Sequence, residues 1–362
     1  MRLFNTLRRL DWDWVLFGAA CLLSLISLIA LRSASATLNP ALLSKQTIWF
    51  IGGMAASFLV ASLPYTRWVD ASLFLYIGIL ILLAIVEIAG TVKLGAARWV
   101  TVFGLSIQPS ELAKLATACG VARYLAQEPA PLSRRSVAMS AGLVGLPAAL
   151  IFLQPDLGTS TILGAIWFGA VWMAGISRRD LTMITLAGLA ALPVAWHSLK
   201  EYQRLRLSVF INPHADPLGA GYTIIQSQIA IGSGQLVGRG WMSGTQNQLN
   251  FLPERHADFL FSVIGEEWGF LGAVCVIGLF GCVLWRAIRI ALANSEPQGR
   301  LLAAALASWL GYQTVVNMGM VMGLLPVVGV PLPLISYGGS AMVVTWMAVG
   351  LLQSIHRFGT RF

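Results

Sequence analysis

Apolar residues along this 362-residue chain fall in blocks of roughly 18–25, separated by shorter polar stretches. About twenty residues at ~1.5 Å rise each cover the ~30 Å hydrocarbon core of a bilayer, so each block predicts one spanning helix. The blocks run at about 13–32, 46–64, 71–90, 109–126, 136–154, 157–176, 181–198, 259–285, 301–325 and 334–355. The first follows Arg8, Arg9 and Asp11 and is long enough to span, which predicts a retained anchor and not a cleaved signal peptide. The expected fold is an all-α polytopic membrane protein of about ten transmembrane helices, one membrane domain over residues 1–362.

Two stretches depart from this alternation. Residues 199–258, between the seventh and eighth blocks, form a connection rich in Gly, Asn, Gln and Pro. Loops this long in a compact protein are functional or disordered. Tyr202, Phe210, Tyr222, Ile224, Ile225 and Phe251 predict that this one folds onto the membrane domain, with Gly232 to Gly244 as its mobile part. The second stretch, Leu325 to Ser340, sets prolines and glycines between two spanning blocks. Non-helical backbone at such depth needs protein or a watery cavity to satisfy its polar groups.

Composition agrees with the pattern: 57% of residues are hydrophobic and only 11% charged, below the ~25% of a soluble domain. The net charge of +9 does not point to nucleic acid, because the basic residues gather at helix ends. Placing the N-terminus inside puts fourteen basic side chains on the inner face, among them Arg2, Arg8, Arg9 and Arg361. The short outer loops keep only Arg32, Lys45, Lys93 and Arg98. That bias predicts both termini cytoplasmic and the long connection extracytoplasmic. Cys21, Cys119, Cys275 and Cys282 lie inside apolar blocks and read as small hydrophobes. His197, His214, His256 and His356 have no paired metal spacing, and no phosphate-binding G-x-x-x-x-G-K-[ST] is present. Chemistry here must therefore run on an activated substrate.

Four groups of residues carry candidate chemistry. In Gln108-Pro-Ser-Glu-Leu-Ala-Lys114, Pro109 suits a first helical turn, and Glu111 and Lys114 are neighbours on one face. Charges in an apolar block are costly unless paired or hydrated, so they mark either a functional site or an ion pair pinning helices. In Gln154-Pro-Asp-Leu-Gly-Thr159, Asp156 opens a helix, as a cap or facing a cavity. Asp258 enters the eighth block with Glu254, Arg255 and His256 close by. It serves as a dipole residue or as an acid poised at a water–lipid boundary, and Glu266 and Glu267 lie deeper. Arg98, Arg204 and Arg206 fall on the outer side, where cations are scarce, either snorkelling or holding a phosphate.

These motifs occur together with Gly95-Ala-Ala-Arg-Trp99, Gln226 to Gly234, Leu252 to Phe259 and Pro333-Leu-Ile-Ser-Tyr-Gly-Gly-Ser340. In that order, over nearly the whole chain, they resemble the SEDS family of peptidoglycan glycosyltransferases, on its elongation branch. Ala257 and Trp268 depart from the usual pattern without removing a charged motif residue. The resemblance implies polymerisation of lipid II into β-1,4 glycan strands by inverting displacement, with Asp258 as general base. It implies substrate binding by Glu111, Lys114, Asp156, Arg98, Arg204, Arg206, Glu254, His256 and Ser336. Loss of undecaprenyl pyrophosphate implies stabilisation by these cations or by a divalent ion, Mg or Mn. Partners implied are a class B penicillin-binding protein transpeptidase and other elongation-complex membrane proteins, with no nucleic acid. Two readings compete: a lipid II flippase, which needs intramembrane charge but not Asp258, and a scaffold that only activates a transpeptidase.

Overall fold

A computed structural model describes residues 12–360 apart from 37–38, 90, 94–95, 103–104, 200, 214–215 and 220. Arg2, Arg8, Arg9, His214 and Arg361 lie outside the described residues. The chain is mostly helical: α1 (Trp14–Ser35), α2 (Ala41–Ser62), α3 (Tyr65–Asp70), α4 (Ser72–Ala89), α5 (Pro109–Leu125), α6 (Arg134–Leu153), α7 (Leu157–Ala174) and α8 (Arg178–Ser198). There follow α9 (Glu201–Ile211), α10 (Tyr222–Ser233), α11 (Thr245–Gln248), α12 (Leu260–Ala293), α13 (Pro297–Val321) and α14 (Gly339–Phe358). Among the described residues, α1, α6, α7, α12 and α13 are long and apolar enough to cross a membrane, and Ser72–Ile88 is a shorter apolar helix.

Charged and polar side chains of the helices turn inward, while apolar ones divide between a buried core and an exposed outer surface. On α5, Ser110, Glu111, Lys114 and Thr117 are buried, while α4 exposes Leu73, Phe74, Ile81 and Ile88. Small residues let helices approach closely. A Cβ on Gly169 of α7 would collide with Ser308 of α13, and one on Gly350 of α14 would meet the Ser57 backbone of α2. Asp13 caps α1 by accepting from Leu16 N at 3.0 Å, and it also holds Arg286 at 2.6 Å and Gln353. The start of α1 therefore lies beside the last turns of α12 and α14, at the end of the bundle opposite the long connection.

The chain is helical as expected, with one local addition. Residues after α4 form a small antiparallel sheet, β1 (Thr91–Lys93), β2 (Ala96–Val102) and β3 (Leu105–Ile107), in that order. Thr91 pairs with Trp99, and Val100 with Ile107. β-Branched residues fit a pleated surface better than a helix, and here they lift Arg98 onto a strand.

Gly232 to Gly244, expected to be the mobile part, is tied to α12 by backbone hydrogen bonds. Helix α12 breaks at Gly269 (φ 65°, ψ −160°), and the glycine-rich segment fills the break. Phe270 N donates to Gln235 O (2.8 Å) and Leu271 N to Leu236 O (3.1 Å). In return, Arg239 N donates to Glu266 O (3.0 Å) and Gly240 N to Glu267 O (3.1 Å). Buried backbone groups freed by a kink must find partners, and this segment supplies them. Its glycines serve close approach: a Cβ on Gly238 would lie 2.1 Å from Glu267 O.

Candidate active site

The site is built from the N-terminal turns of α5 and α7, the sheet, the end of the long connection and the Pro-rich segment before α14. Glu111 and Lys114 pair at 2.7 Å, both fully buried. Lys114 also donates to Gln313 Oε1 (3.3 Å) and lies 4.7 Å over the Trp309 ring. Asp156 caps α7, accepting from Thr159 N (3.1 Å) and Thr159 Oγ1 (2.9 Å). It is more than a cap, because Gln108 Nε2 (3.3 Å) and Ser110 Oγ (3.5 Å) donate to it as well. The Asp156 carboxylate thus joins the start of α5 to the start of α7. Arg98 donates from Nε to Gln154 O (2.9 Å) and through its terminal nitrogen to Pro155 O, clasping the break between α6 and α7.

Asp258 is only partly exposed in the turn before α12. Burial pushes its carboxyl up to about 6, with Glu254 and Asp156 adding to the rise and Arg206 and Arg98 opposing it. Those four groups therefore share one electrostatic environment with it. Gly329 marks where Asp258 and one of them, Arg206, meet: a Cβ built on it would lie 3.6 Å from Asp258 Oδ2 and 3.9 Å from Arg206 Nη1. Gly329 also has φ +71°, so any side chain there would be strained and would enter the gap between carboxylate and guanidinium.

His256 Nε2 lies 3.9 Å from Glu254 Oε2, and its ring packs 5.7 Å from Tyr337. Burial, helped by Arg255 and opposed by Glu254, lowers its pKa, so the imidazole is neutral at pH 7. Arg255 is buried and donates to Ala34 O (2.9 Å), closing the carboxyl end of α1. Arg204 and Arg206 part company. Arg204 donates to Trp196 O (3.0 Å) and His197 O (2.7 Å) in the last turn of α8, whereas Arg206 faces Asp258. Ser336 is buried in its own turn, its Oγ accepting from Leu332 N (2.8 Å). Glu266 accepts from Gln246 N (2.8 Å) and Asn247 N (3.2 Å), and Glu267 from Asn247 Nδ2 (2.9 Å); both brace the long connection. Among the described residues no three His, Cys, Asp or Glu side chains converge as metal ligands.

Two residues of the site were not singled out from the sequence. Gln313 Nε2 donates to Pro331 O (2.7 Å), and Asn317 Nδ2 donates to Val330 O (2.7 Å) and Asp258 O (2.9 Å). The available signal was spacing: Trp309, Gln313 and Asn317 recur every four residues in an apolar block and so line one face of α13.

A bundle of this kind, with buried charges gathered toward one end, defines an integral membrane protein with a polar site. A family profile described as cell cycle protein, FtsW/RodA/SpoVE, matches residues 11–361. This chain belongs to that family. Peptidoglycan glycosyltransferase MrdB of Escherichia coli strain K12 is 39% identical over 360 residues, covering 97% of this chain and 96% of its own length. A probable peptidoglycan glycosyltransferase FtsW of Halothiobacillus neapolitanus is 38% identical, covering 95% of this chain and 86% of its own. A chain solved in work on structural coordination of polymerization and crosslinking by a peptidoglycan synthase complex superposes at TM-score 0.85, 34% identical, covering 96% of this chain and 98% of that one. Rod shape determining protein RodA of Thermus thermophilus superposes at 0.73, 32% identical, covering 96% and 97%.

Proposed function

We propose that this chain, a peptidoglycan glycosyltransferase, polymerises lipid II at the outer face of the bacterial cytoplasmic membrane, with Asp258 as general base. The carrying observation is the convergence on Gly329 of a carboxylate whose pKa is raised to about 6 and the guanidinium of Arg206. A base poised just below neutrality is ionised in the cell yet still basic enough to take a proton. Asp258 removes the proton of the acceptor sugar hydroxyl as that oxygen bonds to the anomeric carbon of the donor. The bond from that carbon to the lipid pyrophosphate breaks in the same step, and the leaving group takes the electron pair. One in-line displacement inverts an α linkage to β without a covalent enzyme intermediate.

Arg206, with Arg98 behind it, stabilises charge developing on the pyrophosphate. A Mg or Mn ion would add to this charge stabilisation at the pyrophosphate. The Glu111–Lys114 pair and Asp156 fix the floor of the site, and Glu254 and neutral His256 flank the acceptor. The matched peptidoglycan synthase complex supports pairing with a class B penicillin-binding protein, the transpeptidase that would crosslink the new strand. About ten spans with both termini cytoplasmic would put the long connection and Asp258 outside.

Asp258→Asn keeps volume and removes basicity. Purified on lipid II, alone and with a class B penicillin-binding protein, it should lose at least about 10² in polymerisation while remaining folded. Near-normal glycan from a folded Asn variant would overturn the assignment, and lipid II transport surviving in that variant would favour a flippase.

A further inference from the structure

The segment that fills the α12 break carries an apolar surface that the bundle does not cover. Leu236 is 67% exposed and Val237 74%, with Trp241 and Met242 beside them. These residues adjoin lipid-type surface on both sides. Leu236 O accepts from Leu271 N, and Phe270 and Leu271 are themselves exposed on α12. Trp241 Nε1 donates to Ile29 O (3.3 Å), and Ile29 is exposed on α1.

Depth can be measured along two helices. The opposite end of the bundle is marked by exposed Trp14 and Trp285 beside the Asp13–Arg286 pair, the kind of aromatic and ionic belt that sits at a membrane interface. Trp14 to Ile29 on α1 and Arg286 to Phe270 on α12 each rise roughly 22–24 Å at 1.5 Å per residue. A hydrocarbon core of about 30 Å then places Ile29, Phe270 and whatever is bonded to them several ångströms below its far boundary. Both rulers set Leu236, Val237 and Trp241 at that depth. Charge fits the same occupant. From Gly234 to Gly244 the only charged residue is Arg239, Arg32 lies 6.0 Å from the Trp241 ring, and the carboxylates of Glu266 and Glu267 that touch this segment are buried beneath it, so the charges on its exposed side are cationic.

We propose that residues 235–242 form a tongue that dips into the leaflet on the side of the long connection. Leu236, Val237 and Trp241 enter the acyl region, and Arg32 and Arg239 meet phospholipid headgroups. The tongue sets the height of the long connection over the bilayer. The inference rests on packing and depth alone, so its test is independent of the role given to Asp258.

The test uses the full chain with Cys21, Cys275 and Cys282 changed to Ala, leaving fully buried Cys119 in place. A spin label is attached at Val237→Cys, at Leu271→Cys as the lipid-facing reference, and at Arg135→Cys as the aqueous one. The protein is reconstituted in phosphatidylethanolamine–phosphatidylglycerol vesicles, and collision with oxygen and with a water-soluble nickel chelate is compared. The label at Val237 should behave like that at Leu271, favouring oxygen over nickel by about tenfold relative to Arg135. Nickel access equal to that at Arg135 would overturn the proposal. Shielding from both relaxants would also overturn it, showing the patch covered by protein, such as a second copy.

Discussion

Asp258 carries two opposed demands, and pH separates them. Its folded pKa of about 6 lies above the ordinary 3.8, so ionising it in place is unfavourable. A raised carboxylate contributes stability below its ordinary pKa and loses it as pH rises through the folded value. Polymerisation, which needs the ionised form, should instead rise through about pH 6. Asp258→Asn should therefore melt above the native protein at pH 8 and level with it near pH 4, as thermal unfolding in detergent would show. A variant less stable at pH 8 would mean that the carboxylate is favourably held. The two arginines divide in the same manner. Arg206→Ala should lower turnover by one to two powers of ten, a charge-assisted bond of roughly 1.5–3 kcal/mol. Arg204→Ala should mainly lower melting temperature, because it strips two carbonyls of α8. The reverse pattern would exchange their roles. The sequence marked both arginines by their side of the membrane, but which one turns inward depends on how α9 packs on α8.

The elements show why some of the site was legible and some was not. Glu111, Lys114, Asp156 and Asp258 stood out because a charge in an apolar block is expensive and cannot be there by accident. Gln313 and Asn317 did not, since a buried amide costs far less and has no charged neighbour to flag it. Yet α13 acts through them: one face of one helix holds Lys114, the Pro-rich segment and the Asp258 peptide. Asn317→Ala should leave two carbonyls without their donor and lower both stability and turnover. Asn317→Asp, of equal size but aiming an acceptor at the same carbonyls, should be worse. Equal behaviour of Asn317→Asp and the native protein would remove the hydrogen bonds from the account. The sheet was missed for another reason. Thr91-Val92 and Val100-Thr101-Val102 carry a strand signal, but so short a loop between spans gives periodicity little length in which to appear.

Across the whole molecule, the hydrophobic blocks placed the long helices to within about five residues, apart from the end of α12 at Ala293, because lipid allows few alternatives. What they could not give was how the long connection is anchored, since that is decided by backbone contacts between residues about thirty positions apart. Those contacts should make the segment around Gly234–Gly240 and the broken helix α12 open together. The amides of Arg239, Gly240, Phe270 and Leu271 should exchange hydrogen at one common rate, slower than those of α9, and independent rates would show two separable parts. The middle of the long connection then should not lift like a lid without breaking these four backbone hydrogen bonds to α12. On the proposed function, entry of a bulky lipid-linked sugar is then expected at the flanks, around α9 and residues 249–257, with the middle held in place.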